Sequence, residues 1–481
     1  MHSKEAAGCR LCRYRRVQEK RPDRDCLNGE VTVYLTLTFV LFVSLILALV
    51  ESASVQMAKN YRRADMNRAL ECVFAEYQKE LLENYDVFAI ECGYETGTYT
   101  EQNILDRLSY YDADMENEIE RIQLFTDNSG ELFRDQVGKY MKHKYGIAWA
   151  DKYLGNVSLW KNQEEKADEF TEEEEKQNDQ LKDLLGEQEA ELPEEENPMQ
   201  HVAELKRSSI LGLVLPKDKT ISEKQISLQE MPEKRENHTG YGAFSDVEPE
   251  DGTLTSVLLG EYVIDHFTDF TDGPKGGELD YELEYILEGH ASDRENLETV
   301  ASKLLMVRFV PDYAYIQTDP EKKAEAEAAA LTLCTVIGLP ELAEGAAQGI
   351  LLAWAYGEAI MDIRMLISGG KVPLVKNAED WKLSLSGLMQ LGSAGENVAA
   401  DSGKDMESGL AYREYLRMLL FLKSQDEVGM RTLDMVEQNL KIRYGQTFFR
   451  ADACISRVEF HSTCNLRRGI MYDFPTYFGY N

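Results

Sequence analysis

Apolar residues crowd one stretch of the chain, Val31 to Val50, where 20 consecutive positions carry no charge. That length matches the ~20 residues a helix needs to cross ~30 Å of hydrocarbon, so the run predicts a transmembrane helix. Its threonines and serine can bond back to helix carbonyls, which suits them to an apolar solvent. No glycine or proline lies between Gly29 and Gly93, and the interval predicts one helix from Thr32 to about Tyr85, roughly 80 Å long. Past the apolar run, Met66, Leu70, Val73, Tyr77, Leu81 and Tyr85 recur at steps of three or four. They make one stripe, to be covered by the rest of the chain or offered to a partner helix.

Asp86 to Cys92 reads as a short strand stopped by Gly93. Two amphipathic helices are predicted next, one carrying Leu108, Tyr111, Met115, Ile119 and Ile122, the other around Leu132 to Met141 with Phe133, Val137 and Tyr140. Ile210 to Leu215 looks like a buried strand ended by Pro216, and Leu279 to Tyr285 alternates apolar and acidic residues as a half-buried strand does. Ser292 and Glu295 have the spacing of a capping box before a helix with Leu297, Val300, Leu304 and Val307, predicted to stop at Pro311. Apolar helices Ala324 to Leu339 and Leu342 to Ile367 flank Pro340; their uncharged runs are too short to span a bilayer, which makes them core helices. Helices around Tyr412 to Leu422 and Arg431 to Tyr444 precede a strand around Val458 to His461.

The fold class is therefore mainly α with minor β (α+β), in five regions. Residues 1–30 form a basic head, 31–50 the span, 51–160 a helical spine and membrane-proximal lobe, 161–252 an acidic and polar linker with one short strand, and 253–481 a mainly helical second lobe. From Lys161 to Gln200 sixteen acids face four lysines, and the stretch has too few apolar residues to fold alone.

Charge narrows the function. The formal net charge is −34, which repels phosphate backbones and excludes nucleic acid as a partner. Residues 1–30 hold eight Lys or Arg and residues 51–70 hold four, an asymmetry that keeps the N-terminus cytoplasmic and the C-terminal domain outside the plasma membrane. Five cysteines follow the span, an odd number; Cys454 and Cys464 are near enough in sequence to close a small loop.

Motifs for chemistry are sparse. Gly369-Gly370-Lys371 lacks the following Ser or Thr of a P-loop and reads as a turn after a helix. Asp265, His266, Asp269 and Asp272 cluster the oxygen donors that Ca²⁺ takes, without EF-hand spacing. Trp354, Tyr356, Glu358 and Asp362 share a face of the long apolar helix, where a buried ion pair to Arg364 or a neighbour is expected. The sequon Asn237-His238-Thr239 lies in a polar stretch from Lys217 to Gly252. No cofactor, metal or catalytic set is expected.

Four blocks carry a resemblance: Gly29 through Ala53, Tyr85-Asp-Val-Phe88, Tyr285 through Leu297, and Ile350 through Pro373. Together they resemble an uncharacterised family of single-span envelope proteins of Gram-positive bacteria found with tight-adherence (Tad or Flp) pilus machinery. The N-terminal block is also similar to TadE/TadG pilin-like proteins, in which a glycine precedes an apolar helix with a glutamate at its fifth position. Gly29 fits and makes Gly29-Glu30 a candidate processing site, but the fifth position is Tyr34. The resemblance implies a non-enzymatic, pilin-like accessory or minor component whose partners are membrane lipid and other pilin-like or Tad-type proteins, contacted along the Met66-to-Tyr85 stripe. The alternatives are a surface adhesin or ligand-binding receptor, and an anchored enzyme of unknown chemistry.

Overall fold

The computed structural model describes residues 24–94, 96–111, 113, 115–146, 160–162, scattered positions between 166 and 196, and then 197–217, 219–244, 252–392 and 409–480. Helix dominates and strand is minor. The chain divides into two compact units, Met1–Asp65 with Cys464–Tyr472, and Met66–Thr463 with Asp473–Asn481.

The helix Arg24–Phe74 begins in the first unit. The apolar positions from Val31 to Val50 are exposed along it, and no other described helix is long and apolar enough to cross a membrane. Thr36 Oγ1 donates to Thr32 O at 2.7 Å, Thr38 Oγ1 to Tyr34 O at 3.0 Å and Ser44 Oγ to Leu41 O at 2.8 Å. Each hydroxyl is thereby satisfied inside the helix, as an apolar solvent requires. Further along, Glu51 pairs with Arg468 at 2.6 Å, while Lys59 and Arg63 lie over the Tyr472 ring.

The long helix stops at Phe74 rather than Tyr85; a turn intervenes and a separate helix, Lys79–Tyr85, follows, ended by Asp86 in the left-handed conformation at φ 56°. No glycine or proline forces the break. The turn is fixed instead by the Gln78 amide, which donates to Ala89 O at 2.9 Å, a tertiary contact that local propensity does not encode.

In the second unit the core is built on the helix Ala343–Ile367, buried at every position from 349 to 367. A helix apolar all round belongs at a domain centre. It packs against Asp293–Ile316 and Pro320–Val336, with Pro198–Leu205 and Ile210–Val214 on its other faces. Gly357 lets the segment around 383–388 lie against this helix: a Cβ there would overlap the side chains of Leu383 and Leu388. A second group, Glu131–Tyr145, Gly252–His266, Glu282–Glu288, Tyr412–Leu422 and Gln425–Arg443, packs around Tyr262 and Tyr412, each 1% exposed or less.

The sheet ties distant parts of the chain together. Strands β1 (Ile90–Glu91) and β2 (Glu116–Leu124) both pair antiparallel with β5 (Cys454–Asn465), and β6 (Met471–Gly479) also pairs β5; β3 (Lys371–Val372) pairs β4 (Leu410–Ala411) apart from them. Ile119 faces Phe460 and Ile122 faces Val458 across the β2–β5 ladder. The two lobes expected at 51–160 and 253–481 share one compact unit, Met66–Thr463 with Asp473–Asn481, in which a C-terminal strand lies between two N-terminal ones.

Several local expectations change. Ile119 and Ile122 lie in β2, not in a helix, which here is only Gln102–Tyr110. Ile210–Val214 and Glu282–Glu288 are helices rather than strands; in the latter both the apolar and the acidic positions from 282 to 287 are buried, so the alternation marks no solvent face. The helix from Asp293, with Ser292 Oγ accepting from the Glu295 amide at 3.2 Å, runs through Pro311 to Ile316. Cys454 and Cys464 lie in one strand and are not bonded to each other. Ten residues of extended chain span about 33 Å, far beyond disulfide reach.

Candidate functional site

Charge is concentrated inside the helical core. Arg308 and Asp312 are four residues apart, as are Glu358 and Asp362, so each pair projects from one face of its helix. Between them comes Lys376, from the segment after β3. Its Nζ lies 2.5 Å from Glu358 Oε1, 2.7 Å from Asp362 Oδ1 and 4.0 Å from Asp312 Oδ1. Arg308 Nε donates to Asp362 Oδ2 at 2.9 Å, and its Nη2 is 3.1 Å from Asp312 Oδ1. Backbone amides complete the shell: Lys382 N and Leu383 N donate to the two Glu358 oxygens at 3.0 and 2.7 Å. The five charged side chains are at most 2% exposed.

Three acids face two cations here, and burial raises both Asp312 and Glu358. Asp312 is raised well above the carboxylate range by desolvation and by the neighbouring Asp362, and its Oδ2 has no hydrogen-bond partner among the described residues. Burial pulls Lys376 down, but the three carboxylates around it outweigh burial and hold it above its ordinary value. The expected partner of Glu358 and Asp362 is thus Lys376 with Arg308, not Arg364, whose Nε donates to Leu213 O at 2.6 Å.

Two further networks repeat the pattern. Glu282 accepts from Thr268 N, Asn439 and Arg443, at 3.0, 2.6 and 2.7 Å, while Glu284 Oε1 accepts from Phe270 N at 3.0 Å and Tyr412 OH at 2.9 Å. Fully buried and close to Asp269, Glu284 is pushed up to about 8. Elsewhere Arg235 grips Glu437 with two hydrogen bonds of 2.6 and 2.8 Å and reaches Asp452, which also accepts from the His238 amide at 3.0 Å. The polar stretch around Asn237 is therefore packed where it is described: its polar residues answer buried charges. The Asn237 Nδ2 itself donates to Pro232 O at 2.6 Å.

That pinned segment runs beside β2. Tyr241 and Ile122 exchange both backbone hydrogen bonds at 3.0 Å, and Asp127 accepts from Leu124 N and Gly240 N. Gly240 is required for the approach, since a Cβ there would collide with Ile122 O. Between 122–131 and 236–244 a polar cleft of about 830 Å³ opens. Of its lining, the sequence marks only Ile122, as a helix position, and the sequon Asn237-His238-Thr239. The cleft itself leaves no local signal, because its two walls lie more than 100 residues apart.

The other expected sites are dispersed or covered. Gly29 and Glu30 are exposed in the long helix. Met66, Leu70, Val73, Leu81 and Tyr85 are at most 3% exposed inside the protein's own core, and only Tyr77, at 36%, remains open. The stripe is spent within the chain and is not free for a partner helix. Asp265 pairs with Lys144 at 2.9 Å, Asp269 and Asp272 with Arg413 at 3.2 and 2.7 Å, and the His266 ring with Asp86 at 3.1 Å. These acids already have cations, and the described residues contain no group of three or more His, Cys, Asp or Glu arranged to hold a metal. Gly369 takes φ 92° in the turn after the core helix, as expected. The acidic stretch 161–200 lies largely outside the described residues.

A family model described as a family of unknown function (DUF5702) matches residues 188–466. The chain belongs to that family. The match covers more than half of the chain and takes in all three buried networks together with the 236–244 wall of the cleft, but neither the long helix nor β2. No curated protein and no solved structure matches the chain.

Two outcomes follow for the family core. Lys376→Met leaves Glu358 and Asp362 buried without their ammonium, and should cost about 3–5 kcal/mol in urea unfolding of the protein in detergent; adding Glu358→Gln should recover part of it. The second concerns pH. Glu284 is raised from 4.5 to about 8, so above pH 4.5 the unfolded chain has lost a proton the folded one keeps. The stability is full below pH 4.5 and falls as pH rises toward 8, by up to about 1.4 kcal/mol per unit. Melting temperature measured from pH 5 to 8 should decline, and Glu284→Gln should make that decline shallower.

Proposed function

We propose that the protein is a non-enzymatic, single-pass component of a bacterial envelope assembly of pilus or secretion type, with a cytoplasmic N-terminus and an extracytoplasmic C-terminal domain. The observation that carries this reading is the division of one helix, Arg24–Phe74: its apolar part, 31–50, is uncovered, and its end, from Met66, is buried in the core. A helix that is half membrane anchor and half core is the layout of pilin-like proteins. The basic excess before residue 31 supports the orientation, and the blocks similar to single-span proteins of Tad loci support the setting.

Partners would be met through the membrane part of the helix, since the stripe after it is already packed. Tyr34 supplies no carboxylate for an amine–carboxylate pair between neighbouring subunits, and such a charge is what specifies register within a bilayer. A subunit of formal charge −34 also repels its own copies. Both features favour a low-copy or capping role over that of a major filament subunit.

Photo-cross-linkers at Leu37 and Leu41 in native membranes test this, with Val73 as an interior control. Adducts with other single-span envelope chains are expected from Leu37 or Leu41 and none from Val73. Finding the chain as the dominant subunit of purified pili, with its mature N-terminus at Glu30, would overturn the low-copy role; an internal C-terminal reporter would overturn the topology.

A further inference from the structure

The turn between β5 and β6 belongs to the same compact unit as the long helix, Met1–Asp65 with Cys464–Tyr472. Two contacts fix how it lies along that helix. Lys59 and Arg63 stand over the Tyr472 ring, and Arg468 Nη1 is 2.6 Å from Glu51 Oε1. From Glu51 to Lys59 the helix rises about 12 Å, and the chain from Arg468 to Tyr472 reaches up to about 13 Å. The hairpin therefore runs down the helix toward the apolar run, and its turn, Arg467–Gly469, stops beside the first residue after Val50. Leu466 N closes the turn by donating to Ile470 O at 2.8 Å.

The side chains shown by the turn suit that level. Arg467 is exposed, the Arg468 side chain is 74% exposed in spite of its pair with Glu51, and beside them Ile470 and Met471 are 38% and 65% exposed. Charge here opposes that of the whole chain. Residues 51–65 and 464–472 hold five bases, Lys59, Arg62, Arg63, Arg467 and Arg468, against two acids, Glu51 and Asp65, in a protein of formal charge −34. Beyond the hydrocarbon a bilayer has a polar headgroup layer of about 5–7 Å, the depth of one helix turn starting at Glu51. Arginine forks match phosphate oxygens in geometry and charge. We propose that the β5–β6 turn is a second membrane contact, in which Arg467 and Arg468 bind the phosphates of anionic phospholipids while Ile470 and Met471 enter the boundary between headgroups and acyl chains. This rests on the reading of 31–50 as a membrane span. The span delivers the turn to the bilayer, so the phosphate is that of lipid and not a free ion.

Full-length protein in nanodiscs of phosphatidylcholine with about 30 mol% phosphatidylglycerol tests this, with benzoylphenylalanine at Met471 or, inside the span, at Leu41. Mass spectrometry reads the lipid adducts. Met471 is expected to give adducts enriched at least about twofold in phosphatidylglycerol over its share of the bilayer, since each arginine at an anionic surface is worth about fivefold. Arg467→Gln combined with Arg468→Gln, both at exposed positions, should remove the enrichment and leave the Leu41 adducts unchanged. Lipid adducts from Leu41 but none from Met471 would overturn this inference alone, and none from either would overturn the span with it. Enrichment absent from the parent protein, or persisting in the double variant, would also overturn it.

Discussion

The Lys376 ammonium sits between two carboxylates on a helix that is buried on every side from 349 to 367, and the arrangement of the core follows from that placement. Glu358 and Asp362 cannot be solvated where Ala343–Ile367 puts them, so a cation must be buried with them. Arg308 extends the requirement to a second helix, and its Nη1, 3.3 Å from Tyr415 OH, extends it to a third. Apolar packing alone would tolerate sliding of one helix along another, whereas a buried ion cluster is satisfied in one register only. Such clusters add little net stability over apolar packing. Specification of a single register is the role we hypothesise for this one.

How much of this was legible in the sequence depends on the range over which each signal acts. The long apolar helix was plain, because twenty uncharged positions run without a break. The core helices were legible from their apolar runs, and Glu358 with Asp362 stood out as two acids inside one. Their partner was not, since Lys376 lies in a loop segment 14 and 18 residues downstream with nothing local to mark it. The same limit explains Glu282 and Glu284, whose alternation with apolar residues imitates a solvent face although both acids are buried against donors from Thr268, Asn439 and Tyr412. Neither wall of the cleft is a motif for binding, and their meeting depends on Asp127 and Gly240, which are more than 100 residues apart.

A similar economy governs the long helix. Its 31–50 segment is left uncovered while Met66, Leu70 and Val73 are consumed inside the core, so one element is divided between an uncovered apolar surface and the protein interior. Even the interior networks are acidic, with seven acids, Asp312, Glu358, Asp362, Glu282, Glu284, Glu437 and Asp452, against four bases, Arg308, Lys376, Arg443 and Arg235. Buried charge here organises structure.

Native-state hydrogen exchange on the Lys376→Met variant tests the register role most directly. If the ion cluster holds the helices in place, protection should fall along both Asp293–Ile316 and Ala343–Ile367, and in Tyr412–Leu422 beyond them. Loss of protection confined to residues 371–383, with the three helices exchanging as in the parent protein, would contradict it.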